Sequence, residues 1–434
     1  MNIKIYFKQA WAMMRQNKLF TSIYVAGTGL SIAFTMVLFI IYYVKFAPVY
    51  PEYNRNRTLV ISSMGVASKG KEQMNMCNDG VSPKMAELLK GLPHLDKMAL
   101  ACLSGWQDYT VTLPGSNELL EVRPGLVDAG FWQVFTFRFL SGKPFDEAAV
   151  EADLPVAVLT ESLAKRIFAS ADVVGKYFVY NGNEMQVVGV VEDANGTTPA
   201  TAAHLYLPLY NGGIARHDSR SPGLMGANTL YLTATSEADL ETLRNEVVDA
   251  LNRNSQADQE WEHYYEGQPD VWWKSVFRDS CSVAPKIADR LRSIVYMLLA
   301  LLFIPAMNLC GLISSRMDER MSELGVRKAY GATNAGLIAQ VLTENMLLTV
   351  VGGLFGLFVA YFIAWTGADW VFYMFDRYVS TYSLEASFTA EMLFNPTIFL
   401  VVFGLCLLLN VISALVPTML VLRHSIIYSI QTKR

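Results

Sequence analysis

Two residues in the sequence have the types and spacing of a known catalytic motif. Ser162 and Lys165 form the pattern SxxK, which contains the nucleophilic serine of penicillin-binding enzymes. The SDN and KTG motifs that accompany it in those enzymes are missing from the chain. A pattern with only two fixed positions arises often by chance, so a helix surface is the favoured interpretation. An envelope enzyme that uses Ser162 is a weak alternative.

The motifs of other enzyme classes are also missing from the sequence. It contains no GxxxxGK[ST] loop for nucleotide phosphates and no HExxH pair for zinc, and its five histidines are scattered. A formal net charge of −4 is too small to indicate a nucleic-acid partner. We therefore expect no catalytic residue, no metal site and no cofactor site on this chain, and a function that is not enzymatic.

The five cysteines bear on the compartment that the protein faces. Cys310 and Cys406 fall in apolar segments, where packing is the favoured role. Cys77, Cys102 and Cys281 fall in a long polar region. Cys77 and Cys102 could pair there if that region faces an oxidising compartment. No CxxC pattern or Cys/His cluster indicates zinc.

One short charged stretch separates two of the apolar segments. If residues 316–329 form a helix, Met321 and Leu324 point outward among charged side chains, and Gly331 can end the helix. An apolar knob with a charged rim suits the docking of a soluble partner, whereas an ordinary solvated connector is the alternative. The residues predicted to form this coupling loop are Arg316, Glu319, Arg320, Met321, Glu323, Leu324, Arg327, Lys328, Ala329, Gly331 and Ala332.

Four apolar segments are each long enough to cross a bilayer as a helix. The composition agrees, since 52% of the residues are hydrophobic and only 17% are charged. We predict a membrane α-helical protein with four transmembrane helices and a large extracytoplasmic mixed α/β domain between the first two. The predicted order is an amphipathic helix at 1–18, transmembrane helix 1 at 19–45, the outside domain with two subdomains at 46–285, a stalk and helix 2 at 286–315, the coupling loop at 316–344, helix 3 at 345–368, an outer loop at 369–391, helix 4 at 392–422 and a tail at 423–434.

Basic residues set the orientation of these spans. They collect before helix 1, in the coupling loop and after helix 4, whereas the outer loop has only Arg377 against several acids. Both termini and the coupling loop are therefore predicted to face the cytoplasm. An exception is the outer side of helix 2, which carries Lys286, Arg290 and Arg292. Long translocated domains, however, are largely exempt from the rule that basic residues stay in the cytoplasm. A stalk helix would hold those three charges in water.

Local patterns place strands and helices in the outside domain. Asn181 and Gly182 are a strong hairpin signal between two β-rich runs. Thr160 is predicted to cap a helix that runs to Phe168, and Ser236 is predicted to cap a second helix. Strands are predicted at 156–159, 176–180, 184–191, 204–209 and 229–235.

The third apolar segment carries a small-residue surface. Gly352 and Gly356 form a GxxxG pattern, with Gly353 beside them. Such a surface lets helices approach closely, either within one chain or between two chains. No ionisable residue lies inside the apolar segments between their flanking charges, which argues against a proton pump or a secondary transporter.

Several segments of the sequence resemble a known family. The stretch 316–348 is similar in spacing and residue type to the permease core of MacB/FtsX-type ABC transporters, and parts of the outside domain resemble further segments of that family. Together the likeness spans nearly the whole chain. It is carried by Glu323, Leu324, Arg327, Lys328, Ala329, Gly331, Ala332, Gln340 and Glu344, by the segments 131–145, 159–178 and 187–193, and by Pro417 and Arg423.

The resemblance implies a permease subunit of the bacterial inner membrane that transmits force across the bilayer. It implies paired permeases, as a homodimer or a heterodimer, each docking a cytoplasmic ATPase through the coupling loop and the N-terminal basic helix. Many members carry a fused ATPase, which this sequence lacks, so ATP and magnesium are expected on a separate ATPase chain. A periplasmic adaptor, an outer-membrane channel and membrane lipid are the other implied partners.

The cargo stays open at this point. Efflux or antimicrobial-peptide resistance is the favoured role, and lipoprotein release or the regulation of a cell-wall hydrolase is the alternative of the same type. A membrane receptor that senses an outside ligand is the alternative of another class.

Overall fold

The computed structural model describes residues 15–16, 18–69, 75–78, 80–103, 109–113, 118–210, 223–278, 283–319, 326–373, 384–393 and 396–422. The chain divides into two compact units. The helical unit comprises Met1–Tyr42, Asp289–Met374 and Phe388–Arg434. The α/β unit comprises Tyr43–Ala288 and Phe375–Ser387.

The helices and strands of the described residues are numbered here in chain order. The helices are α1 (Lys18–Phe46), α2 (Pro83–Leu89), α3 (Phe131–Val134), α4 (Glu147–Glu151), α5 (Glu161–Phe168), α6 (Leu240–Ala257), α7 (Trp272–Ser275), α8 (Ile287–Glu319), α9 (Asn334–Thr366), α10 (Ala368–Tyr373), α11 (Ala390–Leu393) and α12 (Pro396–Leu422). The strands are β1 (Thr58–Ile61), β2 (Met64–Ser68), β3 (Asn75–Asn78), β4 (Leu95–Cys102), β5 (Tyr109–Thr112), β6 (Leu119–Val122), β7 (Pro124–Val127), β8 (Phe139–Gly142), β9 (Val156–Thr160), β10 (Tyr177–Tyr180), β11 (Asn183–Val191), β12 (Leu205–Pro208), β13 (Thr229–Ala234), β14 (Trp261–Tyr264) and β15 (Asp270–Val271).

Long apolar helices make up the helical unit. Among the described residues, Thr21–Phe46 and Asn334–Thr366 have the length and hydropathy to cross a bilayer, and the apolar part of α12 is shorter, Phe399–Leu415. α9 begins well before the apolar run predicted from residue 345. The reason is a local cap, since the hydroxyl of Thr333 accepts a hydrogen bond from the backbone N–H of Gly336 at 3.2 Å. α8 likewise continues past residue 315, to Glu319.

Two sheets form the α/β unit. The larger has twelve strands in the order β15-β1-β13-β4-β7-β12-β9-β11-β10-β5-β6, with β8 paired to β11, and the smaller has the order β14-β2-β3. The large sheet is mixed, because β9 with β11 and β7 with β12 are parallel pairs. α2 and α6 pack on the β1, β13 and β4 side, and α5 packs on β9 and β11. One hydrophobic cluster runs through the unit.

The strands predicted from local pattern are confirmed, with ends that differ by one or two residues. They are the observed β9, β10, β11, β12 and β13. The hairpin between β10 and β11 is confirmed as well, since Asn181 and Gly182 adopt φ values of +50° and +83°. Positive φ at both central residues is the geometry that favours Asn-Gly at a two-residue turn.

The helix predicted from Thr160 to Phe168 is confirmed as α5, and Thr160 is its N-cap residue, but its side chain makes no capping hydrogen bond. The cap predicted at Ser236 is wrong, because Asp239 is the N-cap residue of α6. The hydroxyl of Thr160 donates instead to the carbonyl of His204 at 2.9 Å, and the backbone N–H of Ser162 donates to Asp193 at 3.1 Å. The hydroxyl of Ser236 donates to the carboxylate of Asp239 at 2.6 Å, and α6 begins after that residue. In both places a more distant or stronger acceptor takes the hydroxyl that the local pattern assigned to the helix.

The cysteine pairing considered for Cys77 and Cys102 is also wrong. Cys77 on β3 is disulfide-bonded, whereas Cys102 at the end of β4 is a buried thiol outside any disulfide. Cys406 is likewise a thiol.

Candidate functional site

The structure describes part of the predicted coupling loop. Arg320, Met321, Glu323 and Leu324 lie outside the described residues, and so do the side chains of Arg316 and Glu319, whose backbone belongs to α8. Arg327, Lys328, Ala329, Gly331 and Ala332 are described. The described half of the loop therefore carries the geometry below.

A short helical turn precedes α9. Residues 326–329 are helical, and Gly331 follows with a φ of +93°. The N–H of Ala332 then donates to the carbonyl of Arg327 at 3.0 Å. A left-handed residue after a helix lets the next N–H groups reach back to the last carbonyls, and glycine adopts that conformation without a side-chain clash. The turn and the start of α9 are thus joined by a tight connection.

A line of hydrogen bonds fastens this turn to α9. The Arg327 guanidinium donates to Oε1 of Gln340 at 2.8 Å, and Nε2 of Gln340 donates to Oε1 of Glu344 at 3.3 Å. Gln340 and Glu344 lie one turn apart on α9, and both are buried. Arginine can only donate and a carboxylate can only accept, so the amide between them must present its oxygen to Arg327 and its nitrogen to Glu344.

The same turn exposes an aromatic side chain. Tyr330 is 89% exposed and Val326 is 46% exposed, next to Lys328 and Arg327. An exposed aromatic residue among cationic side chains is typical of protein-binding surfaces. Neither Tyr330 nor Val326 was singled out from the sequence. The signal was present, however, because Tyr330 directly precedes the glycine that ends the turn.

The three glycines of α9 lie at helix contacts inside the helical unit. A β-carbon at Gly356 would lie 2.5 Å from the carbonyl oxygen of Gly29 on α1, and one at Gly352 would lie 3.1 Å from the β-carbon of Thr28. A β-carbon at Gly353 would lie 2.5 Å from the ring of Phe403 on α12. The GxxxG surface is therefore covered by α1 within one chain, where the small residues allow the two backbones to touch.

Both side chains of the SxxK pattern bond to carboxylates rather than to each other. The hydroxyl of Ser162 donates to Asp193 at 2.8 Å, and the ammonium group of Lys165 pairs with Glu161 at 2.5 Å. Burial, more than the nearby arginines, lowers the pKa of His204 to about 4, and its Nδ1 accepts the N–H of Arg123. In the described ranges no three His, Cys, Asp or Glu side chains are grouped to hold a metal ion.

Comparison with known proteins covers both units. Residues 21–250 match the family described as MacB-like periplasmic core domain. Residues 295–426 match the family described as FtsX-like permease C-terminal. The first match covers more than half of the chain, and neither family is described as an ATPase.

Individual relatives are distant. An uncharacterized ABC transporter permease, YknZ, of Bacillus subtilis (strain 168) is 21% identical over 236 residues, which cover 54% of this chain and 55% of that protein. The macrolide export ATP-binding/permease protein MacB of Neisseria meningitidis serogroup B is 25% identical over 227 residues, which cover 52% of this chain and 33% of that protein. The chain thus matches between a third and about half of the length of these relatives.

A solved structure is similar as well. The crystal structure of the extracellular domain of the noncanonic ABC-type transporter YknZ from Gram-positive bacteria covers 46% of this chain and 98% of that domain, with 12% identity and a TM-score of 0.32.

Proposed function

The chain belongs to the family of MacB-like and FtsX-like ABC transporter permeases, and on that premise we propose that it couples a separate cytoplasmic ATPase to its periplasmic α/β domain. In this proposal the permease itself carries out no chemistry. ATP hydrolysis on the partner changes the position of the turn at 326–329, and the movement passes through the helices to the domain outside. The permease is a dimer in the bacterial inner membrane, with four spans and both termini in the cytoplasm.

The line from Arg327 through Gln340 to Glu344 is the observation that supports the proposal most directly. A loop that only connected two spans would need no bond to the buried face of the next helix. Hydrogen bonds that involve a charged group contribute about 1.5–3 kcal/mol each, and burial keeps water from replacing them. A load on the turn is therefore delivered to α9 rather than absorbed by bending of the loop.

Tyr330 gives the turn a surface for a partner. Its side chain is 89% exposed, while Arg327, three residues earlier on the same turn, is held to Gln340. In this proposal Tyr330 binds the ATPase, and Arg327 transmits the movement to α9. The rest of the predicted coupling loop, which includes Glu323 and lies outside the described residues, is proposed to complete the docking surface.

The proposed role is export, by analogy with the macrolide export function in the name of one relative. An adaptor in the periplasm and an outer-membrane channel would extend the path of an exported molecule. Lipoprotein release and the regulation of a cell-wall hydrolase use the same proposed movement with a different cargo. The presence of an adaptor among proteins that co-purify with the permease distinguishes export from these two roles.

Co-purification of the ATPase tests the docking half of the proposal. Tyr330→Ala should lower the amount of ATPase recovered with the full chain by about tenfold, the effect of losing an aromatic anchor worth ~1–2 kcal/mol. Neutralising Glu323 in the same chain should lower it further. The matched control is Tyr177→Ala, since Tyr177 is a 55% exposed tyrosine of the α/β unit.

Transmission is tested by a separate variant. Gln340→Leu removes both bonds of the bridging amide while leaving Tyr330 in place. It should therefore retain ATPase binding but lose the stimulation of ATP hydrolysis by the permease.

ATPase recovery that is the same for Tyr330→Ala, the charge-neutralised loop and the wild type would contradict the proposed docking surface.

A further inference from the structure

A buried ion pair lies at the C-terminal end of α1, in a part of the molecule that the proposed site does not use. Arg55 and Glu52 belong to the segment that follows α1, and their side chains are 1% and 0% exposed. The guanidinium Nε and Nη2 both donate to the Glu52 carboxylate, at 2.8 and 2.5 Å. The partners of this pair come from three separate stretches of the α/β unit.

The first stretch is the end of α1 itself. Nη1 of Arg55 donates to the carbonyl of Val44 at 2.5 Å and to that of Ala47 at 2.7 Å. Carbonyls at the end of a helix have no partner within the helix, so the guanidinium caps α1. We call residues 43–57 the entry segment.

The second stretch is the one that leads to α8. Trp272 lies under the guanidinium, with 5.1 Å between the Arg55 Cζ and the ring centroid. Phe277 contacts Phe46 with 5.6 Å between ring centroids, and a second buried pair, Arg278 with Asp270, fixes the same stretch at 2.6 Å. We call residues 268–278 the exit segment.

The third stretch is the loop before α11. The free oxygen of the Glu52 carboxylate accepts the hydroxyl of Thr201 at 2.9 Å, and Thr201 belongs to a buried turn at 194–202 that begins near Asn195. The side-chain oxygen of Asn195 accepts the N–H of Ser387 at 3.3 Å. The N–H of Gly196 donates to the carbonyl of Glu385 at 3.1 Å. We call residues 384–387 the loop segment.

Each of these three segments adjoins one of the long apolar helices in the sequence. Stability alone does not require a buried ion pair here, because apolar side chains of the same volume are often as stabilising. A guanidinium, however, presents five donors in fixed directions and can stack on a ring with its face. It can therefore hold a helix end, a carboxylate and an aromatic ring in one arrangement, which an apolar side chain cannot do.

We propose that Arg55 and Glu52 form a mechanical joint that makes the entry, exit and loop segments move as one body. The role of the joint rests on the proposed function, since the joint would transmit the displacement of several helices to the α/β domain at the same time. Arg55 is a positioning residue in this account, and Thr201 is the link that extends the joint to the loop segment.

Hydrogen–deuterium exchange of the full chain tests whether the joint exists, without any ATPase. The double variant Glu52→Gln/Arg55→Met removes both charges, so no lone charge is left buried. Amide exchange in all three segments should rise together, on the order of 10- to 100-fold, while amides in the centre of β4 and β13 keep their protection. The control is the double variant Glu161→Gln/Lys165→Met, since that partly exposed ion pair lies on α5, outside all three segments.

Thr201→Val is a second variant, which should disconnect only the loop segment from the ion pair. It distinguishes loss of the joint from general unfolding of the α/β unit. It removes the hydroxyl that reaches Glu52 and keeps the volume and the ion pair. Exchange should rise at 194–202 and in the loop segment, and stay unchanged in the exit segment. If the double variant loosens only the entry segment, or if Thr201→Val loosens all segments alike, the joint is overturned.

A second arm separates this inference from the proposed function. The permease is measured with the separately expressed ATPase, with and without ATP. If the wild type shows no ATP-dependent change in exchange, the proposed function fails and the joint is judged by the first arm alone. If the wild type responds and the double variant responds equally, the ion pair does not transmit movement, and the joint is overturned while the proposed function stands.

Discussion

The contact between α1 and α9 leads to a sharp expectation for Gly356. A β-carbon there would lie 2.5 Å from the carbonyl oxygen of Gly29, whereas a carbon and an oxygen in contact are ordinarily about 3.3 Å apart. The substitution Gly356→Ala therefore forces the two helix backbones apart by about 0.8 Å. Neither atom is at the end of a flexible side chain, so the strain cannot be relieved by a rotamer change.

The matched control is Gly404→Ala on α12, where a β-carbon would meet nothing within 4 Å. Alanine is the better helix former by about 0.8–1.0 kcal/mol, so this variant should be neutral or slightly more stable. Gly356→Ala should lose about 1–3 kcal/mol relative to that control, the typical cost of overpacking. Gly353→Ala should fall between the two, because the Phe403 ring that it would touch can rotate.

Thermal unfolding of the full chain in lipid nanodiscs measures these differences, and light scattering in detergent reports the oligomeric state. The packing argument predicts a lower midpoint for Gly356→Ala with no change in mass. Equal midpoints for Gly356→Ala and Gly404→Ala would refute it. A dissociated oligomer with an unchanged midpoint would instead place the glycines at an interface between two chains.

Three further outcomes are expected. Burial raises the pKa of Asp128 from 3.8 to about 7 against the two N–H groups of Leu100 and Phe131 that bond its carboxylate. The stability of the wild type relative to Asp128→Asn should therefore be fully present below about pH 4, fall as the pH rises to about 7, and stay level above it. A level difference throughout would mean that the N–H donors keep the carboxylate ionised. Cys77→Ser should lower stability by about 2–4 kcal/mol, and peptide mapping without reductant should never join Cys77 to Cys102. Asp193→Ala should cost about 1 kcal/mol in denaturant unfolding through the lost cap of α5, whereas Ser162→Ala, which keeps the backbone bond, should cost less.

Structure that depends on neighbouring residues was predictable from the sequence. The hairpin at Asn181 and Gly182 needed only two residues that tolerate positive φ between β-rich runs. The strands β9 and β13 are short apolar runs bounded by turn residues, and their burial in the middle of a sheet follows that pattern. Long apolar helices were predictable for the same reason, since about 20 consecutive apolar residues have few other uses.

Structure that depends on distant partners was not predictable. Asp193 caps α5 from 31 positions beyond Ser162, so the local sequence favoured Thr160 instead. Thr201 meets Glu52 across 149 positions, and nothing near Arg55 sets it apart from other charged turn residues. Of the candidate site, the residue types at Arg327, Gln340 and Glu344 were evident, but the order of bonding among them requires the α9 backbone to begin at Asn334.

The pairing of β1 with β15 has a consequence for how such proteins can change. Leu59 lies directly opposite Val271, so the chain enters and leaves the large sheet on neighbouring strands, about 5 Å apart. Everything from residue 58 to residue 271 is thus a cassette whose two ends meet. Recombination could replace this segment with another domain whose N- and C-termini lie close together. The protein would then gain a new extracytoplasmic domain while its long apolar helices stay unchanged.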